Sequence, residues 1–185
     1  DEAHATGVYG QDGGGLSDHH ALNQIPHYVI GTCSKALGSI GGYVTASGDA
    51  IDYLRQKARG YIYSTAMPAA AARATRAAID VCCRMSEERV VLRRQARWLR
   101  DAFQSRGWKT SGDDSPICPL YLGSAEEVME VAGRLQAAGM FVPAIRPPSV
   151  PSGKNLLRIS LNVKHTAEQL GRLLDALGQA VQRRE

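Results

Sequence analysis

The sequence predicts an α/β protein that ends in a small α+β lobe. Short β-rich runs at 27–32 and 42–47 flank a loop that contains a lysine. An Ala- and Arg-rich stretch without internal Gly or Pro then fills 68–105, and strands alternate with helices beyond it. With 44% hydrophobic and 22% charged residues, the composition is that of a globular protein, which excludes disorder as the main state.

The first third of the chain predicts loops and short elements. Residues 1–20 are rich in turn formers, with three consecutive glycines at 13–15, and predict a loop. A helix is expected over 49–58 after the two strands. The segment 60–68 is interpreted as a strand or extended loop ending at Pro68, which suits the first residue of a helix.

The middle of the chain predicts one long helix or a helix pair over 68–105, ending before Gly107. Ser124 followed by Glu127 forms a capping-box pattern, which marks the start of a helix in the last third. The elements expected there are a strand at 116–123, a helix at 124–139, strands at 140–148 and 155–163, and a helix at 165–184.

Three regions follow from this order of elements. We expect residues 1–67 to be part of a larger domain, 68–107 to be a connecting helical region, and 108–185 to be a small α+β domain. The chain begins with Asp rather than Met, and we therefore interpret it as a piece of a longer protein.

Several function classes are disfavoured by composition. The net charge is +4, but Lys and Arg are scattered among acids without interleaved aromatics, so nucleic-acid binding is not expected. Four cysteines lack CxxC spacing, which argues against a zinc site or a disulfide framework and favours buried free thiols. No signal peptide or membrane-length apolar run occurs, and we expect a cytoplasmic protein without a membrane partner. The opening DEAH lacks the phosphate loop that a helicase needs.

Lys35 is the most informative residue of the chain. Its flanks predict burial, so Lys35 is either an incidental strand-end charge or a buried amine kept for chemistry. A Schiff-base lysine needs a partly neutral amine, and a carboxylate beside the ring nitrogen keeps pyridoxal phosphate (PLP) electron-withdrawing. Hydroxyls hold phosphate, and the planar guanidinium of arginine suits a carboxylate. The chain offers all these groups, which together indicate PLP chemistry on an amino acid.

Four motifs resemble the α-oxoamine synthases, a family of PLP enzymes of fold type I. They are DEAHATGVYG (1–10), GTCSKALGSIGGY (31–43), YIYSTAMP (61–68) and IRPPSVPSGKNLLRISLNVKHT (145–166). The resemblance covers essentially the whole chain in the right order. It implies the C-terminal half of such an enzyme: part of the large PLP-binding domain followed by the small C-terminal domain. The segment IRPPSVP favours the oxononanoate-forming branch.

The resemblance implies a role for each cofactor-site residue. Lys35 would form the Schiff base and act as acid and base at the substrate Cα. Asp1 would pair with the pyridine nitrogen, and His4 would contact the phenolic oxygen as a catalytic and cofactor-binding residue. Thr32 would bind the phosphate. The alternatives are a frayed terminus for Asp1, a solvated histidine for His4 and a local turn hydrogen bond for Thr32.

The resemblance also implies a homodimer with shared active sites. Thr65, and with it Ser64, would reach the phosphate of the cofactor held by the other subunit, against the alternative of an ordinary strand hydroxyl. Arg158 would bind the substrate carboxylate. Arg146 is a second substrate-binding candidate, with a structural salt bridge as its alternative.

The implied reaction joins L-alanine to a pimeloyl thioester, on coenzyme A or a carrier protein, with loss of CO₂. Two alternatives stay open. One is a sister synthase that uses glycine or serine with another acyl-CoA, which amino-acid preference would distinguish. The other is a non-catalytic fragment or interaction module, which an upstream half in the encoding gene would argue against.

Overall fold

The computed structural model describes residues 1–182, which divide into a first unit, Asp1–Val90, and a second unit that begins at Val91. In chain order the elements of the first unit are α1 (Leu16–His19), a 3-10 turn (Leu22–Gln24), β1 (Val29–Thr32), β2 (Gly42–Thr45), α2 (Gly48–Lys57), α3 (Arg59–Ile62), α4 (Ala69–Cys83) and α5 (Ser86–Gln104), which continues into the second unit. The two expected strands, the helix at 49–58 and the helix pair are confirmed.

A hairpin forms the centre of the first unit. Strands β1 and β2 pair antiparallel, with Gly31 opposite Tyr43 and Thr32 opposite Gly42. Helix α2 carries Asp49 in its first turn and Lys57 in its last turn, the arrangement that complements the helix dipole. The hairpin therefore presents the lysine-containing loop, residues 33–41, at one end.

The prediction for 60–68 needs two corrections. Residues 60–62 belong to α3 rather than to a strand or an extended loop. Pro68 precedes α4 as its N-cap, with φ −55° and ψ 137°, and is not its first helical residue. The proline ring fixes φ at a value that helical and extended backbone share, so the sequence could not decide between them.

The second unit packs helices on one face of a three-stranded antiparallel sheet. Its elements are β3 (Ile117–Tyr121), α6 (Ala125–Ala137), β4 (Ala144–Ile145), β5 (Leu156–Ser160) and α7 (Ala167–Gln182), with strand order β3-β5-β4. Alternate strand residues, such as Cys118 and Leu157, are buried beside Phe103 of α5 and Leu177 of α7. The α+β architecture expected for this part of the chain is confirmed.

In this unit the sequence predicted where helices begin more accurately than where strands end. The capping box is present: the Ser124 hydroxyl accepts from the Glu127 amide, and Glu127 accepts from the Ser124 amide. The strand expected at 140–148 is only two residues long, because Pro143, Pro147 and Pro148 lack the N–H that a ladder needs. The predicted last residues of the final helix, 183 and 184, lie outside the described residues.

Arg100 ties α5 to the chain that follows it. Its side chain is 2% exposed and donates to the carbonyls of Ser111, Ser115 and Ile117 at 2.7–2.9 Å. Because Ser111 and Ser115 belong to the irregular segment before β3, the guanidinium supplies donors that this segment lacks, and its bond to Ile117 reaches the first residue of β3. Across residues 1–182, no helix is both long enough and apolar enough to cross a membrane.

Candidate active site

Lys35 lies at the tip of the turn between β1 and β2. Cys33 and Leu37 on either side are buried, at 3% and 6% exposure, while Lys35 itself is exposed. The Cys33 amide donates to Gly41 O at 2.9 Å, and the Gly38 amide donates to Lys35 O at 3.1 Å. The buried flanks are as expected, but the expected burial of the amine is wrong, since the turn directs Lys35 outward.

The loop that carries Asp1 and His4 packs along this hairpin. The Glu2 amide donates to Ile30 O of β1 at 2.7 Å. A Cβ added at Gly7 would lie 2.8 Å from the Cβ of Ala36, so the loop touches the lysine turn directly. Asp1 and His4 are both exposed, and the Asp1 carboxylate accepts from the Ala3 amide at 2.7 Å. The predicted residues of the two loops are therefore on adjoining segments.

Glu2 is a site residue that the sequence did not single out. Its carboxylate is 5% exposed and accepts from the Leu16 amide at 2.9 Å and from the amide and hydroxyl of Ser17 at 2.7 Å. Burial raises the pKa of Glu2, but these hydrogen bonds outweigh it and lower the pKa below its ordinary value of 4.5. Glu2 thus stays ionised and anchors the loop between Asp1 and His4.

Thr32 ends β1 with its hydroxyl beside that of Ser34. The two oxygens are 2.8 Å apart, and Thr32 Oγ1 lies 3.2 Å from Gly41 O, which accepts from it. The local turn hydrogen bond considered for Thr32 is therefore present. Because the single proton of Thr32 goes to Gly41 O, Ser34 is the donor within the pair, and a phosphate would have to replace Gly41 O as the acceptor from Thr32.

Ser64 and Thr65 follow α3 in a segment without regular structure. Both are exposed, and the Ser64 hydroxyl donates to Gly60 O. A Cβ added at Gly41 would lie 2.4 Å from the terminal carbon of Met67, so this segment runs next to the start of β2. Their role at a partner's cofactor stays a prediction.

Arg158 and Arg146 belong to the second unit. Arg158 is half-buried on the central strand β5, and its neighbours Leu157 and Ile159 are buried in the core, so its side chain leaves the opposite face of the sheet. Arg146 is exposed just after β4. Neither forms an ion pair with a described carboxylate, and the roles considered for Arg146 stay predictions.

A cavity of about 1020 Å³ in the first unit does not coincide with the predicted site. Three cysteines line it, Cys33, Cys82 and Cys83, but neither Lys35 nor any other predicted site residue does. Its lining contains no lysine or arginine to receive a phosphate. We therefore locate the candidate site at the Lys35 turn. Within the described chain, no cluster of three His, Cys, Asp or Glu residues could hold a metal ion.

The four cysteines differ in accessibility. Cys118 is buried in the second unit, and burial raises the pKa of its thiol to about 11, although Arg100 opposes the shift. Burial also raises the pKa of half-buried Cys82. Cys83 is exposed, so the expectation that all four thiols are buried is wrong for this residue. Its position in the last turn of α4 directs it away from Cys82.

The groups around the Lys35 turn fit PLP. An exposed amine, a hydroxyl pair, a carboxylate and an imidazole lie on segments that contact one another within the first unit. These are the partners that the aldehyde, phosphate, ring nitrogen and phenolic oxygen of PLP require. All of them except the half-buried Thr32 are accessible, so a ligand can reach them.

Comparison with known proteins gives a consistent family. The model of the family aminotransferase class I and II matches residues 1–177. The 8-amino-7-oxononanoate synthase of Methylococcus capsulatus is 41% identical over 183 residues, which cover 98% of this chain and 47% of that protein. The chain thus spans about half the length of the curated relatives it matches.

Solved structures share the architecture. A serine palmitoyltransferase with PLP is 30% identical, with a TM-score of 0.90, over 97% of this chain and 46% of that one. The 8-amino-7-oxononanoate synthase of Francisella tularensis is 26% identical, with a TM-score of 0.86, over 98% of this chain and 54% of that one.

Proposed function

The chain belongs to the aminotransferase class I and II family, and from this premise we propose that it forms part of a PLP-dependent α-oxoamine synthase. The predicted fold class, fold type I of the PLP transferases, is confirmed. Within this family we propose the condensation of L-alanine with a pimeloyl thioester to 8-amino-7-oxononanoate. The observation that carries the proposal is the exposed Lys35 on a turn that contacts the loop of Asp1 and His4.

PLP, when bound, supplies an electron sink for the carbanion at the amino-acid Cα. Lys35 would hold the PLP aldehyde through its amine until the amine of the substrate displaces it, and the freed Lys35 amine would then remove the proton at Cα and return one after CO₂ is lost. Asp1 would hold a proton on the ring nitrogen through its carboxylate, and His4 would orient the ring from the phenolic oxygen. Thr32 would donate its single hydroxyl proton to the phosphate in place of Gly41 O, with Ser34 as its neighbour at 2.8 Å.

Arg158 binds the substrate carboxylate in this proposal. A guanidinium presents paired donors that match the two carboxylate oxygens, and its half-buried position reduces the water that competes for them. Arg146, exposed and without a described carboxylate partner, is the second candidate for the same group.

The remaining assignments rest on the family. We propose a cytoplasmic homodimer in which Ser64 and Thr65 contact the phosphate of the other subunit's cofactor. Residues 1–67 would belong to the large domain, 68–107 would connect, and 108–185 would form the small domain. The exposure of Thr65 leaves its hydroxyl accessible to a second subunit, whereas Ser64 would have to exchange Gly60 O for the phosphate as its acceptor.

A serine palmitoyltransferase type of reaction is the second candidate. The TM-score to that enzyme, 0.90, exceeds the 0.86 to the Francisella synthase, although the curated relatives at 38% and 41% identity are oxononanoate synthases. The two reactions differ in the amino acid consumed. Comparing turnover of L-alanine, glycine and L-serine with matched acyl-CoA donors therefore decides between them.

Lys35→Ala tests the cofactor site. We expect the full-length protein to develop visible absorbance with PLP, and borohydride reduction with peptide mapping to locate the adduct on Lys35. The variant should lose the adduct and turnover, because no other amine occupies the turn. Lys57→Ala, at an exposed lysine of α2, is the matched control and should keep both. An adduct elsewhere, or activity without Lys35, would support a non-catalytic role for this chain.

Arg158→Ala tests the carboxylate site. Hydrogen bonds to charged groups contribute about 1.5–3 kcal/mol, so the KM for L-alanine should rise about 10- to 100-fold. The KM for the acyl thioester should change little, since the carboxylate belongs to the amino acid. If Arg146→Ala raises the alanine KM and Arg158→Ala does not, the role passes to Arg146.

A further inference from the structure

Tyr43 connects the hairpin to the loop that precedes it. The Tyr43 hydroxyl lies 2.7 Å from Oγ1 of Thr6, which is 37 positions earlier in the chain. Thr6 Oγ1 also donates to Glu2 O at 2.9 Å. Because threonine has a single hydroxyl proton, Tyr43 is the donor to Thr6. Two hydrogen bonds thus run in sequence from β2 to the loop between Asp1 and His4.

Gly31 makes room for this connection. It pairs with Tyr43 across the hairpin, and a Cβ at position 31 would lie 2.2 Å from Cζ and 2.3 Å from Oη of the tyrosine. No side chain is compatible with that approach, so the ring can cross β1 only because position 31 is glycine. We name Thr6, Gly31 and Tyr43 the tyrosine brace.

The brace completes a ring of contacts between the loop and the hairpin. Glu2 receives the Thr6 hydroxyl at its carbonyl and donates its own amide to Ile30 of β1 at 2.7 Å. The loop is therefore fixed to both strands, to β1 through Glu2 and to β2 through Tyr43. Among the described residues of the first unit, only Ala5, Val8, Cys33 and Leu37 are buried apolar side chains. With so small a core, polar links determine the orientation of the loop.

We propose that Tyr43 is a positioning residue that acts through Thr6 to hold the loop of Asp1 and His4 against the hairpin of Lys35. The inference rests on the proposed function for its effect on PLP, but the brace itself does not. Losing the Tyr43 hydroxyl would leave Thr6 with an unfilled acceptor and allow the loop to move relative to Lys35.

The existence of the brace is tested without cofactor. Thermal unfolding is measured for Tyr43→Phe, Thr6→Val and the double variant of the full-length protein. If the brace exists, the shifts are non-additive, and the second substitution adds less than half of its effect alone. Additive shifts would overturn the brace. Tyr53→Phe, at a tyrosine 65% exposed on α2, should show no coupling with Thr6→Val.

The positioning role is tested with PLP. In Tyr43→Phe we expect the Kd for PLP to rise about five- to tenfold, the value of one hydrogen bond, and the pH midpoint of the Lys35 adduct's visible absorbance to shift. Thr6→Val should do the same, Thr6→Ser should restore both values, and Tyr53→Phe should leave them unchanged. An unshifted Kd and midpoint in Tyr43→Phe would overturn the positioning role and leave the proposed function standing. No adduct in the unsubstituted protein would overturn both.

Discussion

The two units of the chain differ in how they bury apolar surface. Among the described residues, the second unit contains 18 buried apolar side chains and exposes three large ones, Trp98, Met129 and Phe141. The first unit buries four and exposes 14, including Ile30, Tyr63 and Val90. The second unit therefore has a core of its own, whereas the first depends on hydrogen bonds such as those of Glu2 and Tyr43.

Because of this difference, the residues proposed to bind the cofactor lie in one unit and most of the buried apolar core lies in the other. All cofactor-site candidates lie in the first unit, on loops and turns held by polar contacts. Extended apolar surface of the kind exposed there is typical of interaction sites or of aggregation. We therefore expect substitutions in the second unit to change the free energy of unfolding, and substitutions in the first to change cofactor binding, acid sensitivity and solubility.

Phe103→Ala should have the largest effect. Phe103 is fully buried, and removing such a side chain costs about 3–5 kcal/mol through lost transfer free energy and the cavity left behind. Both tryptophans of the chain, Trp98 and Trp108, lie in the second unit, so their fluorescence reports its denaturant unfolding selectively. Phe141→Ala, at a phenylalanine 83% exposed, is the matched control and should change little. Equal effects would show that the second unit has no independent core.

Glu2→Gln should produce an intermediate, pH-dependent effect in the first unit. Since the pKa of Glu2 is lowered, its contribution is complete above pH 4.5 and is lost as the pH falls through the lowered value. The variant should lose about 1–2 kcal/mol of amide protection at Leu16 and Ser17 at pH 7, a deficit that vanishes in acid. Hydrogen exchange, corrected for intrinsic rates, measures this. Glu88→Gln, exposed on α5, should match the unsubstituted protein, and a deficit independent of pH would contradict the role of the carboxylate.

Ile30→Thr should have the smallest effect on stability. Ile30 is 56% exposed on β1, so the expected change in unfolding free energy is within about 0.5 kcal/mol. Light scattering during concentration should nevertheless fall, because an exposed apolar group on the hairpin is removed. Ile159→Thr, at a residue 4% exposed in the second unit, serves as the contrast and should be strongly destabilising. Unchanged scattering in Ile30→Thr would mean that the hairpin does not drive association.

The sequence predicted features whose causes are local. The Ser124–Glu127 capping box and the two strands around Lys35 follow from residue types at short spacing, and the structure contains them. The exposure of Lys35 did not follow, because the pattern shows which residues are apolar but not what covers them. Neither did the role of Tyr43, since its partner Thr6 is distant in sequence.

Site assignments were limited in the same way. The motifs identified Asp1, His4, Thr32 and Lys35 by resemblance, but only three-dimensional contacts reveal that their loops adjoin through Gly7 and Ala36. The strand expected at 140–148 was too long because apolar character outweighed the prolines in the prediction. The length of that strand was set by which residues can donate a backbone hydrogen bond rather than by which residues are apolar.

Because the cysteines differ in exposure, one of them can be labelled selectively for a distance measurement by energy transfer. Cys83 is the exposed thiol of the first unit, whereas Cys118 keeps its proton up to about pH 11 and Cys33 is buried. A maleimide acceptor dye therefore attaches selectively at Cys83, with the two tryptophans of the second unit as donors. Energy transfer to the dye reports how far Cys83 is from the two tryptophans in solution, and no residue has to be introduced.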